Sequence, residues 1–323
     1  MSSIATVSDL FASFAVFAQP LKGLPPELST LGLVWSFVIG SLFGSFLNVV
    51  ILRIPHGLSV VRPRSRCVKC GELIRWFDNI PVVSWVLLRG KCRYCGVSIS
   101  ARYALIEMTV GLFAVGIAYQ FGLNLMSLER LVFVCVMVAI AFIDLDTWTI
   151  PFEVVIPGVC FAFFFAAIGL WMGHIGHMIV PGVDDVHQAA LERVLGGIVG
   201  FLALNAFRVL ATVYLRKKGR IEDDQEAMGL GDPLLLGLIG CFVGWKVLPI
   251  VLFLAATQGT IAGLILKIAG HLHEPKVAVE IEGDDWQPPS DAIQFGPFLV
   301  LAGLEVAFLG ITWIPFFSKV VNL

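Results

Sequence analysis

Long apolar runs alternate along this chain with short polar connections. A membrane-spanning helix takes about 20 predominantly apolar residues. Runs of about this length lie at 31–52, 104–121, 129–149, 153–172, 191–214, 233–249, 250–268 and 295–317. The pattern predicts about eight transmembrane helices. The two runs within 233–268 are the least distinct, because only a minimal turn around Lys246 and Pro249 separates them.

The composition indicates the same class of protein. Of the 323 residues, 58% are hydrophobic and only 14% are charged, and the mean hydropathy is +0.88. A soluble domain of this length needs a larger polar fraction to cover its surface. We therefore expect an all-α polytopic membrane protein that is surrounded by the lipid bilayer and has no nucleic-acid partner.

The N-terminal segment, residues 1–30, has an apolar patch from Leu10 to Ala18 but no basic residue before it. A secretory signal peptide begins with a positively charged region. We expect this segment to be extracytoplasmic or interfacial rather than a cleaved signal peptide. The connection at 269–294 is rich in acidic residues, and we expect it to be flexible.

Basic residues are concentrated in two connections. Ten of the 22 lysines and arginines lie between the first two predicted spans: Arg53, Arg62, Arg64, Arg66, Lys69, Arg75, Arg89, Lys91, Arg93 and Arg102. Four more follow the fifth span, at Arg216, Lys217, Lys218 and Arg220. Cytoplasmic connections carry an excess of such residues, so we place both in the cytoplasm and both termini outside. The predicted organisation is a first transmembrane helix at 31–52, a cytoplasmic domain at 53–103 and a transmembrane bundle at 104–323.

Four of the seven cysteines form two Cys-x-x-Cys pairs in the predicted cytoplasmic domain: Cys67, Cys70, Cys92 and Cys95. The spacing between the pairs is typical of a four-cysteine zinc site. Gly71 and Gly96 follow the pairs and favour the tight turns from which thiolates complete a tetrahedron. Disulfides are disfavoured in the cytoplasm. A structural zinc site is the leading interpretation, with redox-active dithiols or unligated thiols as alternatives.

Carboxylates stand at the ends of two apolar runs. Asp144 and Asp146 end the third run, and Asp232 opens the sixth within the sequence Gly229-Leu230-Gly231-Asp232. The predicted topology places all three at the cytoplasmic face. Residues two apart point about 200° away from each other on a helix, so only one of the first two can face the sixth helix. We predict that this is Asp144, and that Asp146 has a supporting role at the helix end.

Acidic residues at such positions have two interpretations. They either mark the water interface, with Asp232 capping its helix, or form a functional pair, because a carboxylate at the edge of hydrocarbon is costly unless it faces protein or water. Gly229 and Gly231 favour a functional pair, since glycines allow close backbone approach beside an acid. Two neighbouring carboxylates share a proton, so one acts as base on a water and the other as acid on a carbonyl. This is the chemistry of an aspartic protease.

Two further polar residues lie within the first two predicted spans, Asn48 and Glu107. Contacts between helices are the leading interpretation for both. Contacts with a substrate are the alternative.

An ordered set of motifs gives the chain a resemblance to a known family. The motifs are Gly44-Ser45-Phe46-Leu47-Asn48-Val49-Val50-Ile51-Leu52-Arg53-Ile54-Pro55, the two cysteine pairs, Asn79-Ile80-Pro81-Val82-Val83-Ser84-Trp85, Ile99-Ser100-Ala101-Arg102-Tyr103, Gly229-Leu230-Gly231-Asp232 and Phe295-Gly296-Pro297-Phe298-Leu299. Together with Asp144 at the end of an earlier helix, they resemble the bacterial type IV prepilin peptidases, or prepilin leader peptidase/N-methyltransferases, which are GxGD-type membrane aspartic proteases. The resemblance extends from about residue 32 to the C-terminus.

The resemblance implies that Asp144 and Asp232 are the catalytic pair. It implies cleavage of the leader peptide of prepilins or pseudopilins of type IV pili or type II secretion, at the cytoplasmic face of the bacterial inner membrane. It also implies that the new N-terminus is methylated with S-adenosylmethionine. No glycine-rich methyltransferase motif is visible, and Gly90 and Lys91 are the candidate cofactor contacts, with an ordinary turn as the alternative.

The chain departs from the family pattern at three places. Phe152 and Glu153 follow Pro151 where relatives commonly have an Asp, Leu234 stands where they have a Lys, and Ala104 stands where they have a Pro. These departures bear on substrate preference or activity level more than on reaction type.

Two other functions stay open. One is a proton- or cation-coupled transporter that uses the same aspartates, although the acids of a transporter more often lie near the bilayer midplane. The other is an assembly or anchoring protein with a zinc domain and no enzymatic activity.

Overall fold

The computed structural model of the protein describes residues 26–172, 180, 183, 185–220, 226–269 and 293–321. Our expectations for the N-terminal segment and the acidic connection fall almost entirely outside these residues. The described residues form helices and loops with two isolated bridges, at Arg66 with Leu73 and at Lys91 with Ser98. The predicted all-α class is confirmed.

Nine α-helices lie in the described part of the chain. They are α1 (Pro26–Arg53), α2 (Val83–Leu87), α3 (Ala101–Phe121), α4 (Leu125–Thr147), α5 (Phe152–Met172), α6 (Val186–Lys217), α7 (Gly231–Val243), α8 (Leu248–Ile268) and α9 (Gly296–Val321). Two short 3₁₀ turns, Ile54–His56 and Trp76–Asn79, lie between α1 and α2. Every predicted apolar run therefore contains a helix, and α2 belongs to the four-cysteine region.

Five helices in the described part of the chain are long and apolar enough to cross a bilayer. These spans are Leu28–His56, Ala101–Phe121, Phe152–Met172, Val186–Lys217 and Leu248–Ile268. Helix α4 has 23 residues, four of them charged, and is not among the five. Helix α7 has only 13 residues, which gives about 20 Å against a hydrocarbon core of about 30 Å. The count of about eight spans is therefore approximate.

Helix α7 ends earlier than the apolar run predicted. Gly244 follows its last residue with φ +81°, a conformation that glycine adopts without steric cost. Helix α8 then begins at Leu248. The turn between them is therefore formed by Gly244 to Val247, which includes the predicted Lys246, whereas Pro249 lies within α8.

The chain divides into two compact units, Met1–Ala139 and Ile140–Leu323. In the first, α1 packs closely on α3. A Cβ placed on Gly40 would lie 2.5 Å from the Ala114 Cβ, and one on Gly44 would lie 2.6 Å from the Glu107 Cα. Both distances are far below van der Waals contact, so this crossing requires glycine.

The second unit contains an equally close crossing, between α6 and α7. A side chain on Gly196 would collide with the Gly240 carbonyl, and a Cβ on Gly200 would lie 2.7 Å from the Leu236 carbonyl oxygen. Small residues allow membrane helices to approach in this way, where van der Waals packing replaces the hydrophobic effect as the source of association. The crossing fixes the position of α7 and therefore of Asp232 in its first turn.

Candidate active site and metal centre

Asp144 lies in the last turn of α4, in the second compact unit. Its side chain is buried, with 6% of the residue exposed. The next turn of the backbone ends the helix: the Trp148 N–H donates to the Asp144 carbonyl at 2.8 Å, and Trp148 has φ +58°. Asp146 is exposed. Asp144 and Asp146, only two residues apart in sequence, therefore lie in different surroundings: one is buried and the other is exposed.

Asp232 lies in the first turn of α7. Gly231, immediately before it, packs on Ile150: a Cβ at Gly231 would lie 3.0 Å from the Ile150 Cβ. A Cβ at Gly229 would have no neighbour closer than 4.0 Å. Of the two glycines in the Gly229–Asp232 motif, only Gly231 packs closely on another residue, Ile150.

The start of α9 packs against the Asp144 side chain. A side chain on Gly296 would collide with the Asp144 Oδ2 atom, and its Cβ would lie 3.6 Å from the Ile150 Cδ1 atom. The Gln294 side-chain amide donates to the Asp144 main-chain carbonyl at 2.6 Å. Ile150 thus lies beside the first residues of both α7 and α9, Gly231 and Gly296, so the starts of these two helices meet near the end of α4.

Sequence reasoning did not assign Gln294, Gly296 or Ile150 to the site. The only available signal was the Phe295–Leu299 motif, which includes Gly296 but does not reveal its neighbour. The residues that depart from the family pattern lie at helix starts: Phe152 and Glu153 open α5 and are exposed, and Leu234 is part-exposed in the first turn of α7.

The four cysteines predicted to act together do lie together, in the first compact unit. The Sγ atoms of Cys67, Cys70, Cys92 and Cys95 all lie within 4.8 Å of one another, and the Cys67 and Cys95 sulfurs are 3.8 Å apart. A tetrahedron with zinc–sulfur bonds of about 2.3 Å has edges of about 3.8 Å. The donor set and its size therefore fit a metal ion.

Two matching turns present these thiols. The Gly71 N–H donates to the Cys67 carbonyl at 2.9 Å, and the Gly96 N–H donates to the Cys92 carbonyl at 3.0 Å. Both glycines have left-handed backbones, with φ of +71° and +68°, which explains why glycine follows each pair. Backbone N–H groups of Cys70 and Lys69 lower the pKa of Cys67 to about 6, and the thiolate is the form that binds a metal.

Gly90, one of the two residues predicted to contact a cofactor, has a structural contact of its own. Its φ is +65°, and a Cβ there would lie 2.9 Å from the Trp85 indole ring. The same indole N–H donates to the Ile99 carbonyl at 3.1 Å. Lys91 follows on the surface and is exposed. Glycine is thus required at this position by the packing of Trp85.

The polar residues of the first spans make contacts within the first unit. The Asn48 side chain donates to the Tyr103 carbonyl on α3 at 3.1 Å. The Glu107 Oε2 atom accepts the Val82 N–H at 2.7 Å, and Val82 has φ +61°, a strained backbone for a β-branched residue. Glu107 therefore fixes the four-cysteine region to α3 at a strained residue.

A polytopic helical protein with one aspartate at the end of α4 and another at the start of α7 has the features of the class of membrane aspartic proteases. Two family models match the chain, the Bacterial Peptidase A24 N-terminal domain over residues 38–121 and the Type IV leader peptidase family over residues 131–264. The chain belongs to the type IV leader peptidase family.

Several curated relatives, each named prepilin leader peptidase/N-methyltransferase, agree with this assignment. The chain is 34% identical to one from Myxococcus xanthus (strain DK1622), over 93% of this chain and 95% of the relative. It is 32% identical to one from Pseudomonas putida, over 82% and 86%, and 31% identical to one from Aeromonas hydrophila, over 90% and 93%. No solved structure gives a significant match.

Proposed function

We propose that this protein cleaves the leader peptide of prepilins and methylates the N-terminus that cleavage creates, with Asp144 and Asp232 as the catalytic pair. The observation that carries the residue assignment is the position of the buried Asp144: Gly296 packs on its carboxylate, and Ile150 lies beside both Gly296 and the Gly231 that precedes Asp232. Nothing in the comparisons supports a transporter.

The proposed mechanism uses one carboxylate as base and the other as acid. The base takes a proton from a water, whose oxygen attacks the scissile carbonyl carbon, while the acid gives its proton to the carbonyl oxygen. The tetrahedral intermediate then collapses: a hydroxyl returns its proton to the second carboxylate as the carbonyl re-forms, the C–N bond breaks, and the proton held by the first carboxylate passes to the leaving amine. A buried Asp144 suits this chemistry, because a site largely free of water strengthens the interaction between the pair and the reacting atoms.

Asp146 has a supporting role in this proposal. It lies exposed beyond the buried acid, where it hydrates the end of α4. Gly231 has the clearer structural task, since its contact with Ile150 lets α7 begin close to the end of α4.

We propose that zinc is the metal held by Cys67, Cys70, Cys92 and Cys95. Four thiolates from two glycine-ended turns form the donor set that zinc prefers, and a closed site of this kind stabilises the fold rather than reacting. S-adenosylmethionine supplies the methyl group in N-methylation. Gly90 and Lys91 stay a prediction for contacts with it, because the packing of Trp85 already accounts for the glycine.

We also propose that the aspartate pair and the four-cysteine region face the cytoplasm of a bacterial inner membrane. The support is the excess of lysine and arginine between α1 and α3 and after α6. Pilus and type II secretion subunits are the proposed substrates.

Cleavage of a co-expressed prepilin in membranes tests the residue assignment. Asp144→Asn and Asp232→Asn are each expected to lower the cleavage rate by about 10³-fold or more, because residues that act as a unit are each indispensable. Asp185→Asn is the matched control, since Asp185 is an exposed acid whose capping bond from the Gln188 N–H an asparagine can also accept. Mass spectrometry of the product then reports loss of the leader and gain of a methyl group. Cleavage retained in either aspartate variant would contradict the assignment.

A further inference from the structure

A cavity of about 340 Å³ opens between α8 and the start of α9 in the second unit. Ala256, Gly259 and Thr260 line one side, and Gln294, Phe295 and Phe298 line the other. The three α8 residues lie on one helical face, at positions i, i+3 and i+4. We refer to this feature as the α8–α9 groove.

The groove shares a wall with the aspartate site. Gln294 lines the groove and its side-chain amide donates to the Asp144 carbonyl at 2.6 Å. Two residues further on, Gly296 lies against the Asp144 carboxylate. A group bound in the groove therefore contacts the segment that encloses the buried acid.

Small residues on α8 keep the groove open. A Cβ at Gly259 would lie 3.4 Å from the Phe298 ring, so a larger side chain would occupy the space that the ring now borders. The Thr260 hydroxyl donates to the Ala256 carbonyl at 2.7 Å. Its hydrogen bond is thus made within its own helix, and α8 presents a small and mainly apolar surface to the groove.

We propose that the α8–α9 groove binds the apolar side chains that follow the scissile bond of the prepilin. This inference rests on the proposed function and names the surface that positions its substrate. A cavity of about 150 Å³ holds one benzene-sized group, so this groove takes about two large apolar side chains. Two side chains held there place the adjoining peptide bond beside the wall that Gln294 and Gly296 form around Asp144.

Lipid acyl chains and another segment of the same protein are the competing occupants. The observation that favours the substrate is the shared wall, because a bound substrate must present one peptide bond to Asp144 and keep neighbouring residues within a few ångströms of it. A groove that served lipid alone would need no connection to the carboxylate.

Site-specific photocrosslinking tests which occupant is present. A photoreactive phenylalanine analogue replaces Ala256 or Thr260 in full-length protein that carries Asp144→Asn, so that a co-expressed prepilin binds without being cut. The control position is Ile261, which is 54% exposed on the same helix and lies about 150° from the centre of the groove-lining face. We expect the prepilin to crosslink at 256 and 260 at least tenfold more than at 261. Equal yields, or products with lipid or the protein itself in place of prepilin, would overturn the proposal.

Filling the groove provides a kinetic test that needs no probe. Gly259→Leu is expected to raise the KM for prepilin by about tenfold or more, with a smaller change in kcat, while Ile261→Leu leaves both unchanged. If Gly259→Leu fails to accumulate in the membrane, the crosslinking result decides.

The groove proposal and the proposed function fail in distinguishable ways. Loss of cleavage in Asp144→Asn and Asp232→Asn, combined with no crosslinking at 256 or 260 and a normal KM in Gly259→Leu, would reject only the groove. Cleavage retained in the aspartate variants would reject the catalytic assignment itself.

Discussion

Gly296 lies so close to the Asp144 carboxylate that any side chain on it would collide with the Oδ2 atom. These residues are 152 positions apart in sequence, and their contact brings the start of α9 onto the end of α4. The carboxylate therefore has a fixed neighbour on the side of α9, which limits the directions in which it can turn.

Gly296→Ala is expected to lower kcat/KM for prepilin by about 10²-fold, because a misplacement of about 1 Å at a reacting group has an effect of that size. The control is Gly116→Ala, since a Cβ there would have no neighbour within 4 Å. Cleavage assays on equal amounts of folded protein check the prediction. Wild-type activity in Gly296→Ala would show that the acid tolerates movement.

The crossing of α6 and α7 predicts a defect in stability. Gly200→Ala would bring a Cβ to 2.7 Å from the Leu236 carbonyl oxygen, and overpacking of a tight contact costs about 1–3 kcal/mol. We expect a lower melting temperature in detergent, with Gly116→Ala again unchanged. An unaltered melting temperature would mean that the two helices separate without loss.

Metal content is the most direct test of the cysteine cluster. Purified protein is expected to carry one zinc per chain by elemental analysis. Cys67→Ser and Cys92→Ser should lower that content strongly, and Cys160→Ser should not, because Cys160 is an exposed cysteine outside the cluster. Chelation should make the region between α1 and α3 sensitive to protease, since a structural zinc contributes folding energy. A disulfide in place of the metal would favour the redox alternative.

The ion pair of Asp78 and Arg93 predicts a dependence on pH. Arg93 donates to the Asp78 Oδ2 atom at 2.8 Å, and this hydrogen bonding holds the pKa of Asp78 below its usual range. The pair therefore stabilises the fold above the pKa of the unfolded Asp, about 3.9, and that stability is lost as the pH falls through the lower folded value. Asp78→Asn should be less resistant to protease than the wild type at pH 7, and the difference should diminish below about pH 4.

Glu107 and Val82 provide the last prediction. Removing the carboxylate in Glu107→Ala leaves the Val82 N–H without its partner at a strained residue, and a lost hydrogen bond of this kind costs about 1–3 kcal/mol. Val82→Gly relieves the strain and should restore part of the lost stability in the double variant. A double variant no more stable than Glu107→Ala alone would show that the backbone at Val82 stores no strain.

The helix positions and the cysteine cluster were largely predictable, because both depend on local sequence. Helix positions follow from apolar runs, and the grouping of Cys67 with Cys92 follows from spacing and from the glycines after each pair. Three features were not predictable, for a common physical reason. The end of α7 depends on the backbone of Gly244, and the contacts of Asp144 with Gln294 and of Glu107 with Val82 join residues far apart in the chain. The periodicity of apolar residues carries no information about contacts between residues so far apart in the chain.

The metal site also has a consequence for how the membrane helices are assembled. Between Arg53 and Ala101 the chain has 47 intervening residues (101 − 53 − 1), and bringing the ends of a loop that long together costs about 3 kcal/mol of chain entropy. A metal bound to both cysteine pairs shortens the effective loop, so it acts as a splint that holds α1 beside α3 while Gly40 and Gly44 find their partners. With zinc bound as proposed, protein made without zinc would insert both helices but pair them more slowly.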